Sequence, residues 1–435
     1  MLSKDQNDLI TLTGPETPGG EMMRRYWHPV ALSEELLDDV PLPVTIFGEE
    51  LVLFRDSAGQ PQLIGRYCPH RSVDLSFGRV ETNGLRCLYH GWLLAGNGRC
   101  LQQPGEPAGS TFKDKIRHTA YPCREGGGLI LTYMGPGESP RLPNFPFLSC
   151  RPEQVFATKI HQACNYLQAN EGNIDPQHLS FLHVVQSMRS QLVPDLNDLI
   201  AGDASPAIDV EETAYGHRIF TVRRTGAESK YVRITNFIMP NAAAFDGLPP
   251  INPKTEQFRP NLGYQVHWHV PIGDAEHWKY TIIYRYEGSL DKQVMRTVFF
   301  GDLDDTYHSP RTRQNRYLQS RQEIRSNETY AGLGKNFYDH DTFAVETQGR
   351  IMDRSNEHLG MTDRPVILMR KQLLKAVDDV RSGKDPLFVE RNKNVDAAAE
   401  IVVRSDTMPA SVDVFGDWWR AKSKSGKKLV SEPAE

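Results

Sequence analysis

From about Val44 to Cys150, apolar and polar residues alternate in short runs broken by turn residues, which predicts strands rather than helices. The stretch VTIFGEELVLFRDSAGQPQLI (44–64) has strand–turn–strand–turn–strand character, with Gly48 and Gly59 at the breaks. Gly127–Glu138 reads as another strand ending at a Gly-Pro turn, and Gly20–Val30 as an amphipathic piece leading to Pro29. A boundary is expected in the Pro-rich stretch 140–152, giving an all-β unit over 1–150 and a second unit over 151–435. There the period turns helical, from about Cys164 to Ser190. Four longer alternating runs (208–224, 230–240, 262–273 and 277–287) then predict an antiparallel sheet with one buried face. A charged helical stretch is expected over Pro310–Thr329, and a last long helix over Thr362–Ser382 with Thr362 as its N-cap. The fold class is α+β, with antiparallel sheet and flanking helices in the C-terminal unit.

Composition narrows the class of function. A chain of 435 residues allows a large core, and a net charge of −5 gives no basic excess for nucleic acid. The basic run Arg420–Lys428, followed by Ser431–Glu435, reads as a solvated tail. No run of eighteen apolar residues predicts a membrane span, and the charged N-terminus offers no secretory signal, so a cytoplasmic location is expected. Six cysteines are too sparse for a disulfide framework and fit buried small hydrophobes in a reducing compartment. Cys68 and Cys87 differ, because each has a histidine close by.

Those two cysteines open the chemistry. Cys68-Pro-His70 is followed, after sixteen residues, by Cys87-Leu-Tyr-His90. Paired thiolates and imidazoles suit a closed zinc site or an iron–sulfur centre, and spacing alone leaves the two even. In a Rieske [2Fe–2S] centre two cysteines hold one iron and two histidines the other, so each arm must supply one of each, as here.

A second constellation lies in HQACNYLQANEGNIDPQHLSFLH, residues 161–183. Asp175 and His178 are three apart and would share a helix face. His178 and His183 are five apart and converge only if a helix there is kinked or widened after Pro176. In the strand VHWHV, alternation puts His267 and His269 on one face and Trp268 on the other. That face is a candidate pocket wall, although a structural histidine pair at a sheet surface fits the pattern at least as well.

The surrounding residues carry a resemblance. CPHR and CLYHGW resemble the Rieske signature of the ring-hydroxylating oxygenases. Val73 and Tyr89 stand where respiratory Rieske proteins carry extra cysteines, and Gly91 and Trp92 would let the chain wrap and shield a cluster. Asp175-x-x-His178-x-x-x-x-His183 resembles that family's second hallmark. The opening segment, the 165–183 run and the closing 353–374 run look like the phthalate-dioxygenase branch, which includes aromatic O-demethylases acting on lignin-derived dehydrodivanillate.

This resemblance implies a Rieske cluster on Cys68, His70, Cys87 and His90. It also implies a helix-grip (START-like) catalytic domain with mononuclear Fe(II) on His178, His183 and a later carboxylate. Asp341 in YDHDTFAVETQGRIMDRS is the expected carboxylate, with Asp339 and Asp353 as competitors. Asp175 resembles the family's bridge between the cluster of one subunit and the iron of the next, which implies a homotrimer or a stack of two. Electrons would come from a separate NAD(P)H-dependent reductase, with or without a ferredoxin, since the chain has no convincing G-x-G-x-x-G fingerprint of its own. O₂ and an aromatic, carboxylated or methoxylated compound would be the substrates, with O-demethylation favoured over ring dihydroxylation. Asn165 and Asn173 are added as residues that could face the iron cavity. The competing readings are a zinc-stapled binding protein, a pure electron carrier, which the 285 residues beyond Cys150 disfavour, and an oxygenase of sterols, quaternary amines or other non-aromatic substrates, which the resemblance disfavours.

Overall fold

The computed structural model describes residues 1–185, 203–246, 263–392 and 394–420. The strand–turn–strand–turn–strand run is present as Leu42–Ile46, Glu49–Arg55 and Pro61–Gly65, joined by Ala120–Tyr121 in one antiparallel sheet. A second small sheet runs Arg79–Glu81, Gly84–Arg86, Leu93–Leu94 and Cys100–Gln102. Their shared core contains Val52, Phe54, Ile64, Leu75, Leu85, Trp92 and Leu94, with Cys68 and Cys87 among them.

Beyond Val155, a large antiparallel sheet runs in the order Val155–Gln162, Glu276–Arg285, Gly263–Gly273, Ala242–Phe245, Ser229–Ile238, Gly216–Arg224, Ala207–Thr213. Ser405–Pro409 pairs with the first half of Ser229–Ile238. One face carries Trp268, which packs on Phe145 at 5.8 Å between ring centroids and belongs to a core shared with Trp27 and Tyr133. The opposite face carries Lys279, Thr281, His267 and His269, with the helix Tyr166–Ile174 among the elements close to it. That register bears out the assignment of both histidines to one face.

The Tyr166–Ile174 helix is buried nearly all round, which explains its weak amphipathic signal. Two of its polar side chains are paired internally, as burial demands, while Asn170 Oδ1 has no partner among the described residues. Gln168 donates to the carbonyls of Val345 and Gly349, and Glu171 accepts from Arg354 and Arg370. The predicted helix from Cys164 to Ser190 therefore shrinks to nine residues. It stops because Asp175 precedes Pro176, a position that disfavours α geometry; Asp175 has φ −88° and ψ 110°. Positions 186–190 lie outside the described residues.

Two other expectations need correction. The charged stretch Pro310–Thr329 holds only a 3₁₀ turn and a short helix, Arg321–Arg325, because it has no continuous apolar stripe to bury. The last helix runs Arg364–Arg381, with Pro365 in its first turn, and Thr362 lies in a preceding 3₁₀ turn rather than capping it. Its buried Val366, Met369, Leu373, Ala376 and Val377 follow the helical period. The N-terminal helices Lys4–Thr11 and Pro18–Met23 join the same hydrophobic core, which also takes in Ile46, Leu51 and Leu63 of the first small sheet. Tyr166 Oη donates to the Ile10 carbonyl at 2.7 Å, and Arg354 to the Asn7 side chain at 3.2 Å. The first helix of the chain thus also makes contacts with the second unit.

Candidate metal centres and active site

The two arms of the first motif come from turns that follow strands. Cys68 opens a tight turn, its N–H donating to the Val73 carbonyl (2.9 Å) and its carbonyl accepting from Ser72 (2.8 Å). Cys87 mirrors it, donating to the Trp92 carbonyl at 2.9 Å and accepting from Gly91 at 3.1 Å. Gly91 is left-handed (φ 71°), and a Cβ there would come within 2.8 Å of the Pro104 ring, so a larger residue is excluded. The donors sort by type. The His70 and His90 rings are exposed and lie 4.6 Å apart, with His70 stacked on Trp92 at 4.7 Å. The two thiols are buried beside each other, and burial, with Cys87 adding to it, pushes the Cys68 thiol up to about 11. A sulfur pair and a nitrogen pair match a two-iron centre in which each iron takes one kind of donor. Cations that displace the thiol protons are what turn these sulfurs into thiolates.

Among the described residues, three donors converge within 4.8 Å as one ion would need: His178, His183 and Asp341. After Pro176 the chain makes a 3₁₀ turn, His178–Ser180, and Phe181 breaks it at φ −130°, ψ −68°. That break folds His183 back, so the two rings lie 5.0 Å apart. The convergence that a straight helix forbids is achieved by ending the helix. Asp175 and His178 consequently share no helix face, and Asp175 Oδ2 stands 3.6 Å from His178 Nδ1, beyond hydrogen-bond length.

Asp341 lies on the helix Phe337–Glu346, and its Oδ1 is 3.0 Å from His183 Nε2 and 3.8 Å from His178 Nε2. Its competitors are engaged elsewhere: Asp339 pairs with Arg311 at 3.0 Å, and Asp353 accepts from Ser355 and Asn356. Burial by itself would raise the Asp341 carboxyl. The Lys279 ammonium, 3.3 Å from Oδ2, together with His183 and His178, outweighs that and holds it well below the usual carboxylate range.

The proton positions follow from carbonyl anchors, which only accept. His340 Nε2–H donates to the Gly334 carbonyl at 3.0 Å, and burial pushes its pKa down to about 4. A neutral His340 accepts at Nδ1, so His183 Nδ1–H donates to it at 3.2 Å. His183 Nε2 is left as a bare lone pair beside Asp341, the tautomer a metal ligand needs. Two imidazoles and one carboxylate converging in this way fit a 2-His-1-carboxylate iron site.

Other predicted residues separate by role. Asn165 is no pocket residue: it caps the Tyr166–Ile174 helix by accepting from Leu167 N–H, and it donates to the carbonyls of Thr11 and Asp274. Asn173 bridges the two strand histidines, contacting His267 Nδ1 through Oδ1 (2.9 Å) and His269 Nε2 through Nδ2.

Residues 26–120 match the family described as the Rieske [2Fe-2S] domain, and residues 132–414 match the family described as LigXa C-terminal domain like. The chain is 35% identical to the phthalate 4,5-dioxygenase oxygenase subunit of Pseudomonas putida, over 89% of each chain. It is 31% identical to the 5,5'-dehydrodivanillate O-demethylase oxygenase subunit of a Sphingobium species, over 92% of this chain and 86% of the relative.

The chain belongs to the Rieske oxygenases.

A solved structure of the carbazole 1,9a-dioxygenase oxygenase in complex with ferredoxin shares the fold, with a TM-score of 0.56, 18% identity, and coverage of 89% of this chain and 93% of that one. The family carries the [2Fe–2S] domain and uses a mononuclear iron, and the donor sets above suit both. No described helix of this Rieske oxygenase is long and apolar enough to cross a membrane.

Sequence reasoning missed Lys279, His340, Thr281 and Arg223. Lys279 and Thr281 share parity with the inner-face residues of their strand, a signal that becomes readable once the register with His267 and His269 is known. Arg223 is fully buried on the Gly216–Arg224 strand; its Nη2 donates to the Pro176 carbonyl at 2.6 Å, while Nε and Nη1 find no acceptor among the described residues.

Proposed function

We propose that this terminal oxygenase oxidises an aromatic carboxylic acid bearing a methoxy group and removes the methyl as formaldehyde. Cys68, His70, Cys87 and His90 hold the cluster; His178, His183 and Asp341 hold the iron. A separate reductase or ferredoxin delivers electrons to the cluster. Asp175 links the cluster of one subunit to the His178 side of the next in a head-to-tail trimer. In support, the Asp175 side chain keeps 28% of its surface exposed while one oxygen accepts from Gln177 N–H, leaving the other for an imidazole.

When bound, the iron supplies the activation of O₂. The protein's own part is to keep His183 in the ligating tautomer through His340, to fix Asp341 with Lys279, and to place the substrate. Buried Arg223 is the observation that carries the carboxylate: two of its guanidinium nitrogens have no acceptor among the described residues, and a buried cation in that state calls for an anion. In demethylation one oxygen atom enters the methoxy carbon, and the hemiacetal then splits into a phenol and formaldehyde. The second atom leaves as water with two electrons and two protons. The alternative, ring cis-dihydroxylation, puts both atoms on the ring; the relative named as a phthalate dioxygenase favours it.

The test supplies a generic reductase and NADH to the full enzyme and follows a panel of methoxylated and non-methoxylated benzoates. Formaldehyde equal to the substrate consumed supports demethylation. A cis-diol without formaldehyde moves the assignment to dihydroxylation, and no oxidation of any aromatic acid refutes the reading.

A further inference from the structure

A chain of hydrogen bonds runs under the active-site face of the sheet, and its direction is fixed at one end. His277 Nδ1 lies 2.7 Å from the Cys164 carbonyl, which only accepts, so that nitrogen carries a proton. Burial pushes His277 down to about 3 and holds His269 and His267 well below the usual imidazole range, so all three rings are neutral. His277 Nε2 is then an acceptor, and His269 Nδ1–H donates to it at 3.1 Å. Gln162 also reaches His277 Nε2 at 2.9 Å; with its NH₂ turned there and its carbonyl toward the Thr342 hydroxyl, both of its contacts are kept. His269 Nε2 accepts from the Asn173 amide, and Asn173 Oδ1 accepts from His267 Nδ1–H.

The chain therefore ends on a bare lone pair, His267 Nε2, which is buried without a partner among the described residues. Its register partner on the next strand is Thr281, whose Oγ1 is also buried and has no partner among the described residues. An acceptor with no proton beside a hydroxyl that can donate is the complement of a group that both donates and accepts. Two residues along that strand, Lys279 touches Asp341, about 7 Å away at strand rise, roughly the span of a substituted benzene ring.

We propose that His267 and Thr281 form a subsite for a free phenolic hydroxyl of the substrate, the hydroxyl donating to His267 Nε2 and accepting from Thr281. The inference rests on the aromatic-acid reading and narrows it to hydroxylated aromatics. A phenolate or an ether is disfavoured, since neither brings a proton to His267.

Two measurements test it on the iron-loaded, full-length enzyme. Dissociation constants for 4-hydroxy-3-methoxybenzoate, 3-methoxybenzoate and 3,4-dimethoxybenzoate are taken by calorimetry under nitrogen without reductase, and kcat/KM for the same three with it. The wild type should favour the hydroxylated acid at least tenfold in both. Thr281→Val, which removes a hydroxyl with no other partner among the described residues, should cut that ratio below about threefold, consistent with one hydrogen bond. His267→Phe should do the same, and His267→Gln, which keeps an acceptor, should restore part of it. Equal affinity of the wild type for all three acids means the subsite holds water only and overturns the proposal, as does a preference unchanged in both Thr281→Val and His267→Phe. Oxidation of the acids without discrimination sinks this inference alone; no binding or oxidation of any of them sinks the aromatic-acid reading with it.

Discussion

Replacing Lys279 by methionine should make the mononuclear site bind its metal more tightly. The ammonium is 2% exposed and 3.3 Å from Asp341 Oδ2. At an effective dielectric of about 20, unit charges at that distance attract by about 5 kcal/mol. Asp341 is about a quarter exposed, and both groups bear a desolvation cost, so the net worth of the pair is about 2–3 kcal/mol. A cation arriving at the same carboxylate loses much of that attraction, because lysine and metal then repel each other. In Lys279→Met the metal meets an uncompensated carboxylate, and the difference returns as affinity, about 30- to 140-fold. By linkage, the metal-free protein should lose a similar amount of stability and regain it on loading. Chelator competition with Fe(II) or Co(II), with the cluster left in place, reads the affinity; thermal unfolding with and without metal reads the linkage. Affinity unchanged within threefold, or weakened, would refute the reasoning, as would equal destabilisation of the loaded and empty forms.

The two centres should be separable. His183→Ala should lose the mononuclear iron while visible and EPR spectra of the cluster persist, and Cys87→Ser should bleach the cluster, with metal analysis distinguishing the two. Asp175→Asn should load both centres yet lower coupled turnover at least a hundredfold; near-normal turnover would remove its bridging role. Arg223→Gln should raise KM for carboxylated aromatics about 10- to 100-fold, with much less effect on uncarboxylated analogues, a contrast read from steady-state kinetics.

Much of this enzyme was legible in the chain because its decisive signals are local. Cys68 with His70, and Cys87 with His90, are short-range pairs set by tight turns, and His178 and His183 lie within six residues of each other. Strand alternation put His267 and His269 on one face correctly, since a period of two leaves little choice. Errors arose where tertiary contacts outvote local pattern. The Tyr166–Ile174 helix is buried on all sides and gives little amphipathic signal, and Asn165, apparently free for chemistry, is consumed by backbone groups from Thr11 and Asp274.

The sequence by itself determined the donor inventory, the two-unit α+β class and the kind of metal chemistry, because those depend on residue type and short spacing. Only the tertiary structure shows which aspartate stands beside His178 and His183, since Asp339, Asp341 and Asp353 differ in surroundings and not in identity. It likewise decided that Lys279 faces Asp341, that His340 sets the tautomer of His183, and that a five-member hydrogen-bond chain ends on His267. Each of these joins segments distant in the chain. Their proton positions follow from which carbonyl anchors the far end, and that is a property of packing that no local pattern carries.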